Sequence, residues 1–150
     1  MKTLKKLTII LLILAMLPTS VHGTSETTSE VIHFEDGSYL LIEITTIQSR
    51  ASNKITGSKT YRYVNALGTE KWYVTLYGTF TYDGTTSVCM SSNTSIGIFD
   101  SAWYIISNTY TTNGNTAIGQ VIMGYKTLGV TVDRKTVDMR LTCDANGNLS

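Results

Sequence analysis

A strict alternation of side chains over residues 72–82 sets the strongest limit on the fold of this chain. The even positions are apolar, aromatic or glycine, namely Trp72, Val74, Leu76, Gly78, Phe80 and Tyr82. Thr and Tyr fill the odd positions between them. Because successive side chains of a β-strand point to opposite faces of the sheet, a period of two indicates a half-buried strand, whereas an amphipathic helix needs a period of 3.6. If the even positions face the core, Tyr73 and Tyr77 face away from it.

Further strands are predicted on both sides of this segment. Alternating apolar residues mark a first strand at 40–44 and a last strand at 137–143. Stretches rich in Thr, Tyr, Val and Ile mark the others, at 54–65, 85–91, 102–111 and 115–127. Residues 65–68, Asp83-Gly84 and Asn113-Gly114 are typical of tight hairpins, with Gly68 in the left-handed region. We therefore expect an all-β fold, an antiparallel β-sandwich of about seven strands and immunoglobulin-like size, rather than an up-and-down barrel.

The first 23 residues have the pattern of a cleavable signal peptide. Three lysines precede an apolar run at 7–17, which Pro18 ends, and Gly23 suits a cleavage site. This run of about 11 residues is shorter than the roughly 20 that a membrane-spanning helix needs, so we expect no membrane span after cleavage. These features predict a secreted, extracellular protein.

The residues after the predicted cleavage site divide into an acidic leader and one domain. Residues 24–36 contain four acidic side chains but no Lys or Arg, and this composition predicts a disordered leader. Residues 37–150 are then the single β-sandwich domain. Without its three N-terminal lysines the chain has nine basic and 11 acidic side chains, and this balance argues against a nucleic-acid binder, which needs an excess of Lys and Arg.

The chain after residue 23 is poor in catalytic groups. Its one histidine, His33, lies in the acidic leader, so no Ser-His-Asp or Cys-His arrangement is expected. One histidine and two separated cysteines do not supply the ligands of a zinc site, and no cofactor is indicated. Paired carboxylates remain as acid and base candidates, either Asp133 with Asp138 or Asp100 with Glu70. Exposed charges on a sheet face are the simpler interpretation of these residues.

Residues 144–148, with the sequence Asp-Ala-Asn-Gly-Asn, alternate oxygen-bearing side chains as the start of a calcium loop does. Their glycine is fourth, whereas the EF-hand pattern has it sixth. We interpret the segment as a polar turn that closes the last strand, and we predict no metal site.

Cys89 and Cys143 are the two cysteines of the chain. An oxidising extracellular location permits a disulfide, and closing a loop of this length would stabilise the fold by roughly 4 kcal/mol. We therefore predict a disulfide between Cys89 and Cys143. Two separate buried thiols are the alternative, because sequence alone gives no distance between the two residues.

The predicted outward position of Tyr73 and Tyr77 makes them the candidate binding residues. Tyrosine rings flanked by Thr hydroxyls offer stacking area and hydrogen bonds to an envelope glycan or an extracellular protein. In the alternative interpretation the rings only pair across strands on a second buried face. We predict a secreted, non-catalytic binding module at the cell envelope or in the medium. The alternatives are a carboxylate-dependent hydrolase and a structural envelope protein without a specific ligand.

A set of motifs is spread over residues 57–150: Asn65, Gly68-Thr69, Trp72, Gly-Thr-Phe-Thr-Tyr at 78–82, Cys89, Trp103 and the run LTCDANGNLS at 141–150. Together they resemble an uncharacterised family of small secreted proteins of Gram-positive, clostridial-type bacteria. The resemblance implies secretion and carries no activity, cofactor or catalytic residue. Members often have another cysteine shortly after the position of Cys89, where this chain has Ser91, Ser92 and Ser95. This difference leaves the pairing of Cys89 open.

Overall fold

The computed structural model describes residues 24–48 and 53–150. These residues form eight β-strands: β1 (Thr24–His33), β2 (Tyr39–Gln48), β3 (Lys54–Val64), β4 (Glu70–Tyr82), β5 (Ser87–Ile98), β6 (Trp103–Asn113), β7 (Thr116–Thr127) and β8 (Val130–Thr142). The predicted signal peptide over residues 1–23 lies outside the described residues. Within the described ranges, no helix has the length and apolar character needed to cross a membrane.

The eight strands form two antiparallel sheets. The order is β1-β2-β3-β4-β5 in the five-stranded sheet and β6-β7-β8 in the three-stranded sheet. Within each sheet, every strand therefore pairs with the next one along the chain. β3, β4 and β5 face β7 and β8 across the core, which confirms the predicted antiparallel β-sandwich.

The inner face of β4 is the centre of the core. Its apolar side chains are completely buried, as the alternation predicted: Trp72, Val74, Leu76 and Phe80. Buried side chains of β7 and β8 complete the core: Val121, Met123, Met139 and Leu141. The sheets approach each other closely at Gly78. A Cβ atom at Gly78 would lie 2.6 Å from the Phe80 ring and 3.2 Å from the Ala117 Cβ, so no larger residue fits without a shift.

The prediction of a disordered leader over residues 24–36 is wrong. Thr24–His33 forms β1, which pairs with β2 over its whole length, and a turn connects the two strands. The described side chains of β1 are exposed, as an acidic composition implies. The strand forms because β2 supplies its backbone hydrogen-bond partners, and because Thr, Val and Ile favour extended backbone. The β-sandwich therefore includes β1, and it has one strand more than the seven that the sequence predicted.

The predicted disulfide is also wrong, because Cys89 and Cys143 are both free thiols. Cys89 lies on β5 in the larger sheet, whereas Cys143 follows β8 of the smaller sheet. Each buried Sγ donates a hydrogen bond of 3.4 Å within its own segment, from Cys89 to the Ser91 carbonyl and from Cys143 to the Asp144 carbonyl. Burial raises the pKa of both thiols, so they stay protonated at neutral pH. The alternative that the sequence analysis left open, two separate buried thiols, is therefore the one that the structure shows.

Side-chain oxygens order the turns that the sequence predicted. Asn65 Oδ1 accepts two backbone N–H groups of its own turn, and Gly68 takes a φ of 78°, as expected. Asp144 Oδ1 accepts two backbone N–H groups of residues 144–148 in the same way. This segment is therefore the polar turn that we preferred over a calcium loop.

Candidate ligand-binding pocket

Four connections between strands meet at one end of the sandwich, which we name the pocket end. They join β1 to β2, β3 to β4, β5 to β6 and β7 to β8. A Cβ atom at Gly37 in the β1–β2 connection would lie 3.4 Å from the Ala66 Cβ in the β3–β4 connection. The Lys126 N–H donates a hydrogen bond to the Ala102 carbonyl at 2.9 Å, which joins the β5–β6 connection to the end of β7. A pocket of about 260 Å³ opens here, lined by Tyr63, Asn65, Lys71, Asp100, Trp103, Tyr125 and Asp133.

Aromatic rings from four strands form one wall of the pocket and the core behind it. Tyr63 stacks on Trp72 with ring centroids 5.2 Å apart and planes 14° apart. Trp103 meets Tyr63 edge-on at 5.2 Å, and Tyr125 lies 5.2 Å from Trp103. The Trp72 Nε1–H is buried and has no hydrogen-bond partner among the described residues. Because the rings pack on one another, the wall keeps its shape when the pocket is filled.

Two ion pairs lie at the pocket, and the charges of their four side chains cancel. Lys71 Nζ lies 3.0 Å from Asp100 Oδ2, and Lys135 Nζ lies 3.2 Å from Asp133 Oδ2. The Ala102 N–H donates to Asp100 Oδ1 at 2.9 Å. This backbone hydrogen bond and the Lys71 ammonium hold the pKa of Asp100 below its ordinary value. Asp100 is therefore a carboxylate at neutral pH and can only accept hydrogen bonds.

The lining combines the three kinds of group that a polar organic ligand uses. Carboxylate oxygens of Asp100 and Asp133 accept hydrogen bonds, whereas the Lys71 ammonium donates them. The half-buried ring of Tyr125 offers flat apolar area, and Trp103, which is only 6% exposed, supports that ring from the core side. Because positive and negative charges are paired, the arrangement favours a neutral ligand with several hydroxyl groups over a free ion.

The two carboxylates that line the pocket are not one of the pairs that the sequence predicted. Asp100 and Asp133 line the same pocket, whereas Asp138 and Glu70, their predicted partners, are not part of the lining. Asp138 is exposed on β8, where its Oδ1 accepts a hydrogen bond from Gln120. Neither predicted pair therefore forms a site at this pocket.

Tyr73 and Tyr77 point away from the core, as the alternation predicted, but their surroundings differ. The Tyr73 ring covers Gly97 on β5, since a Cβ atom at Gly97 would lie 2.2 Å from it. Arg62 lies 5.6 Å from the centre of this ring, and Phe99 lies 5.8 Å from it. Tyr77 is 42% exposed and lies beside a pocket of about 150 Å³. Tyr73 is thus engaged within the sheet, and a binding role for Tyr77 stays a prediction.

Hydroxyl groups on this outer face bond to one another across the strands. The closest pair is Thr60 and Thr75, whose Oγ1 atoms are 2.9 Å apart. Thr56 and Thr79 form a similar pair at 3.4 Å. Because these hydroxyls already have partners, the outer face offers a ligand less than its composition suggests.

Sequence reasoning missed most of the pocket because its residues are far apart in the chain. Tyr63, Trp103 and Tyr125 belong to three different strands, and no spacing along the chain connects them. One signal was present: each aromatic residue stands within about three residues of a strand end. In a chain of consecutive hairpins, alternate connections share one end of the sheet, so strand-end aromatics of this kind come together.

Comparisons of the chain with protein-family models, with curated proteins and with solved structures found no match. The function is therefore inferred from the geometry and chemistry of the pocket itself.

Proposed function

We propose that the chain is a secreted, non-catalytic binding module of the cell envelope or the extracellular medium, and that the pocket binds one unit of a neutral glycan. The observation that carries this proposal is the aromatic wall of Trp103 and Tyr125 beside two neutralised carboxylates. Binding sites for small organic groups combine apolar and aromatic walls with a few polar groups in this way.

The dimensions of the pocket support a ligand of about one sugar ring. Its volume of about 260 Å³ lies just below the roughly 300–1,000 Å³ that is typical of pockets for drug-sized ligands, as expected for a smaller ligand. The apolar face of a sugar ring stacks on Tyr125, which Trp103 supports from the core side. Its hydroxyl groups donate to the carboxylates of Asp100 and Asp133 and accept from Lys71.

The N-terminal pattern supports an extracellular location. A basic start, a short apolar run and a small residue at position 23 are the features of an export signal. An exported binding module meets glycans of the envelope before it meets most other ligands, which agrees with the chemistry of the pocket.

A carboxylate-dependent hydrolase is the second candidate, because Asp100 and Asp133 share one pocket. Glycoside hydrolysis needs one carboxyl group with a raised pKa that can donate a proton. The pKa of Asp100 is lowered by the Ala102 N–H and by Lys71, so Asp100 is not that acid. Binding is the better supported of the two functions, because it needs only that the paired carboxylates accept hydrogen bonds.

The first test is capture of the exported chain on insoluble peptidoglycan and on chitin, a neutral glycan. Asp133→Asn removes a carboxylate from the pocket, and Asp138→Asn on the same strand is the matched control on the outer face. We expect the chain to be retained on at least one glycan, with retention weakened about tenfold by Asp133→Asn and unchanged by Asp138→Asn. No retention on either glycan, or equal loss in both variants, contradicts the proposal.

The second test separates binding from hydrolysis. The chain is incubated with soluble oligomers of the retained glycan, and new reducing ends are measured over time. The proposal predicts no turnover. Turnover that disappears in Asp100→Asn and persists in Asp138→Asn, with both variants folded, replaces the binding function with a hydrolase.

A further inference from the structure

The turn between β7 and β8 contains a leucine, Leu128, whose side chain neither packs in the core nor suits the backbone conformation of the turn. Leu128 is 99% exposed and has a φ of 51°, and Gly129 next to it has a φ of 81°. Among the described residues, Leu128 is the one non-glycine residue with a positive φ. Gly, Asn or Asp would adopt this conformation at lower cost, and a polar side chain would suit the exposure.

The residues around Leu128 extend the exposed apolar surface and add positive charge. We name residues 126–135 the β7–β8 tip. Val130 is 64% exposed and Val132 is 59% exposed. The tip contains two Lys, one Arg and one Asp, so it has a net charge of +2.

We propose that the β7–β8 tip docks the protein on an anionic lipid surface. Leu128 and the two valines enter the boundary between headgroups and acyl chains. Lys126 and Arg134 face the anionic headgroups, whereas Lys135 stays paired with Asp133. Peripheral attachment to membranes combines apolar burial with electrostatic attraction of this kind.

A lipid surface fits the tip better than a protein partner does. A stable protein interface buries about 800 Å² on each side, and a hairpin tip with three exposed apolar side chains, one in the turn and two at the start of β8, offers far less. A bilayer needs no matching surface, since each inserted side chain contributes by its own transfer from water.

The tip is also held in place before it meets a surface. Tyr104 Oη forms a hydrogen bond with Thr131 Oγ1, and Lys126 Nζ lies 5.1 Å from the centre of the Tyr104 ring. These contacts fix the hairpin against β6, so little conformational entropy is lost on docking.

Docking would bring the pocket close to the lipid surface, because Tyr125 and Asp133 at the base of the tip line the pocket. The proposal does not depend on the ligand of the pocket, since Leu128, Val130 and Val132, the side chains that would enter the lipid, are not part of the pocket lining. Either one can therefore fail while the other holds.

The test is sedimentation of the exported chain with phospholipid vesicles, either anionic (phosphatidylglycerol with phosphatidylcholine) or neutral (phosphatidylcholine alone). Leu128→Asn removes the apolar tip and keeps a residue that tolerates positive φ. Val88→Asn is the matched control, since Val88 is 48% exposed at the start of β5, at the opposite end of the sandwich. All chains leave the same host by the same route, so their N-termini are identical.

We expect the parent chain and Val88→Asn to sediment with anionic vesicles and much less with neutral ones. Leu128→Asn should weaken this partitioning by at least about tenfold without lowering the unfolding midpoint below that of the parent. The proposal is overturned if the parent chain does not prefer anionic vesicles, or if Leu128→Asn partitions as the parent does. Self-association of the parent that Leu128→Asn abolishes, in the absence of vesicle binding, would assign the tip to a protein contact and also overturn it.

Discussion

Replacing Tyr73 or Tyr77 by alanine should separate a structural tyrosine from an exposed one on the same strand. The contact of Arg62 with the Tyr73 ring contributes about 0.5–1 kcal/mol at an exposed site. The contact with Phe99 contributes about 0.5–1.5 kcal/mol. The Tyr73 ring also covers Gly97, which has no side chain of its own to pack. Together these terms predict that Tyr73→Ala lowers the free energy of unfolding by about 2 kcal/mol.

Tyr77→Ala is the matched substitution, since Tyr77 lies four residues further along β4 on the same face and is 42% exposed. It should lower the free energy of unfolding by about 0.5 kcal/mol or less. Urea titrations followed by circular dichroism measure both values, provided that the dependence on urea concentration is the same in all chains. Tyr73→Phe keeps the ring and should restore most of the loss. Equal losses for the two alanine variants, or a larger loss for Tyr77→Ala, would refute this account of the outer face.

Three further predictions concern strain, thiols and pH. Leu128→Asn should raise the free energy of unfolding by about 0.5 kcal/mol, because Asn adopts a positive φ more readily; a loss of 1 kcal/mol or more in urea titrations would contradict it. Cys89 and Cys143 should resist alkylation in the native chain, and both should react in urea without prior reduction, because they are buried free thiols. Intact mass measures this, and labelling that requires a reductant would show that the two cysteines form a disulfide. The lowered pKa of Asp100 means that its stabilisation is present above about pH 4 and is lost as the pH falls through the folded-state pKa. Acid titration of Asp100→Asn should therefore show a smaller loss of stability below pH 4 than the parent chain, and identical curves would contradict the assignment.

The parts of the fold that the sequence predicted are those in which one face of a strand is buried. β4 is the clearest example, because Trp72, Val74 and Leu76 are buried on one face while Tyr73 and Tyr77 lie on the other. β1 was missed for the opposite reason. Both of its faces are exposed, and it forms through backbone pairing with β2, which depends on contacts that composition does not report.

The pocket and the state of the cysteines depend on how strands are placed in space. Spacing along the chain allowed a bond between Cys89 and Cys143, but it gave no distance or orientation for the two thiols, which are both free. Asp100 and Asp133 come together only because the β5–β6 connection and the base of the last hairpin lie at the same end. To predict that Asp100 and Asp133 lie in one pocket, the strand order of both sheets must be known, and a hydrophobic pattern does not give that order.

Tryptophan fluorescence tests the central claim most directly, because the chain has two tryptophans and both belong to the aromatic cluster of the pocket. The exported chain is titrated with soluble N-acetylglucosamine oligomers and with oligomers of any other glycan that retains it. The account predicts a saturable change in emission that needs about tenfold more ligand in Asp133→Asn and is unchanged in Asp138→Asn and Tyr77→Ala. Binding seen by calorimetry without any change in emission, or with a loss in Tyr77→Ala alone, would contradict the claim that this pocket is the ligand site.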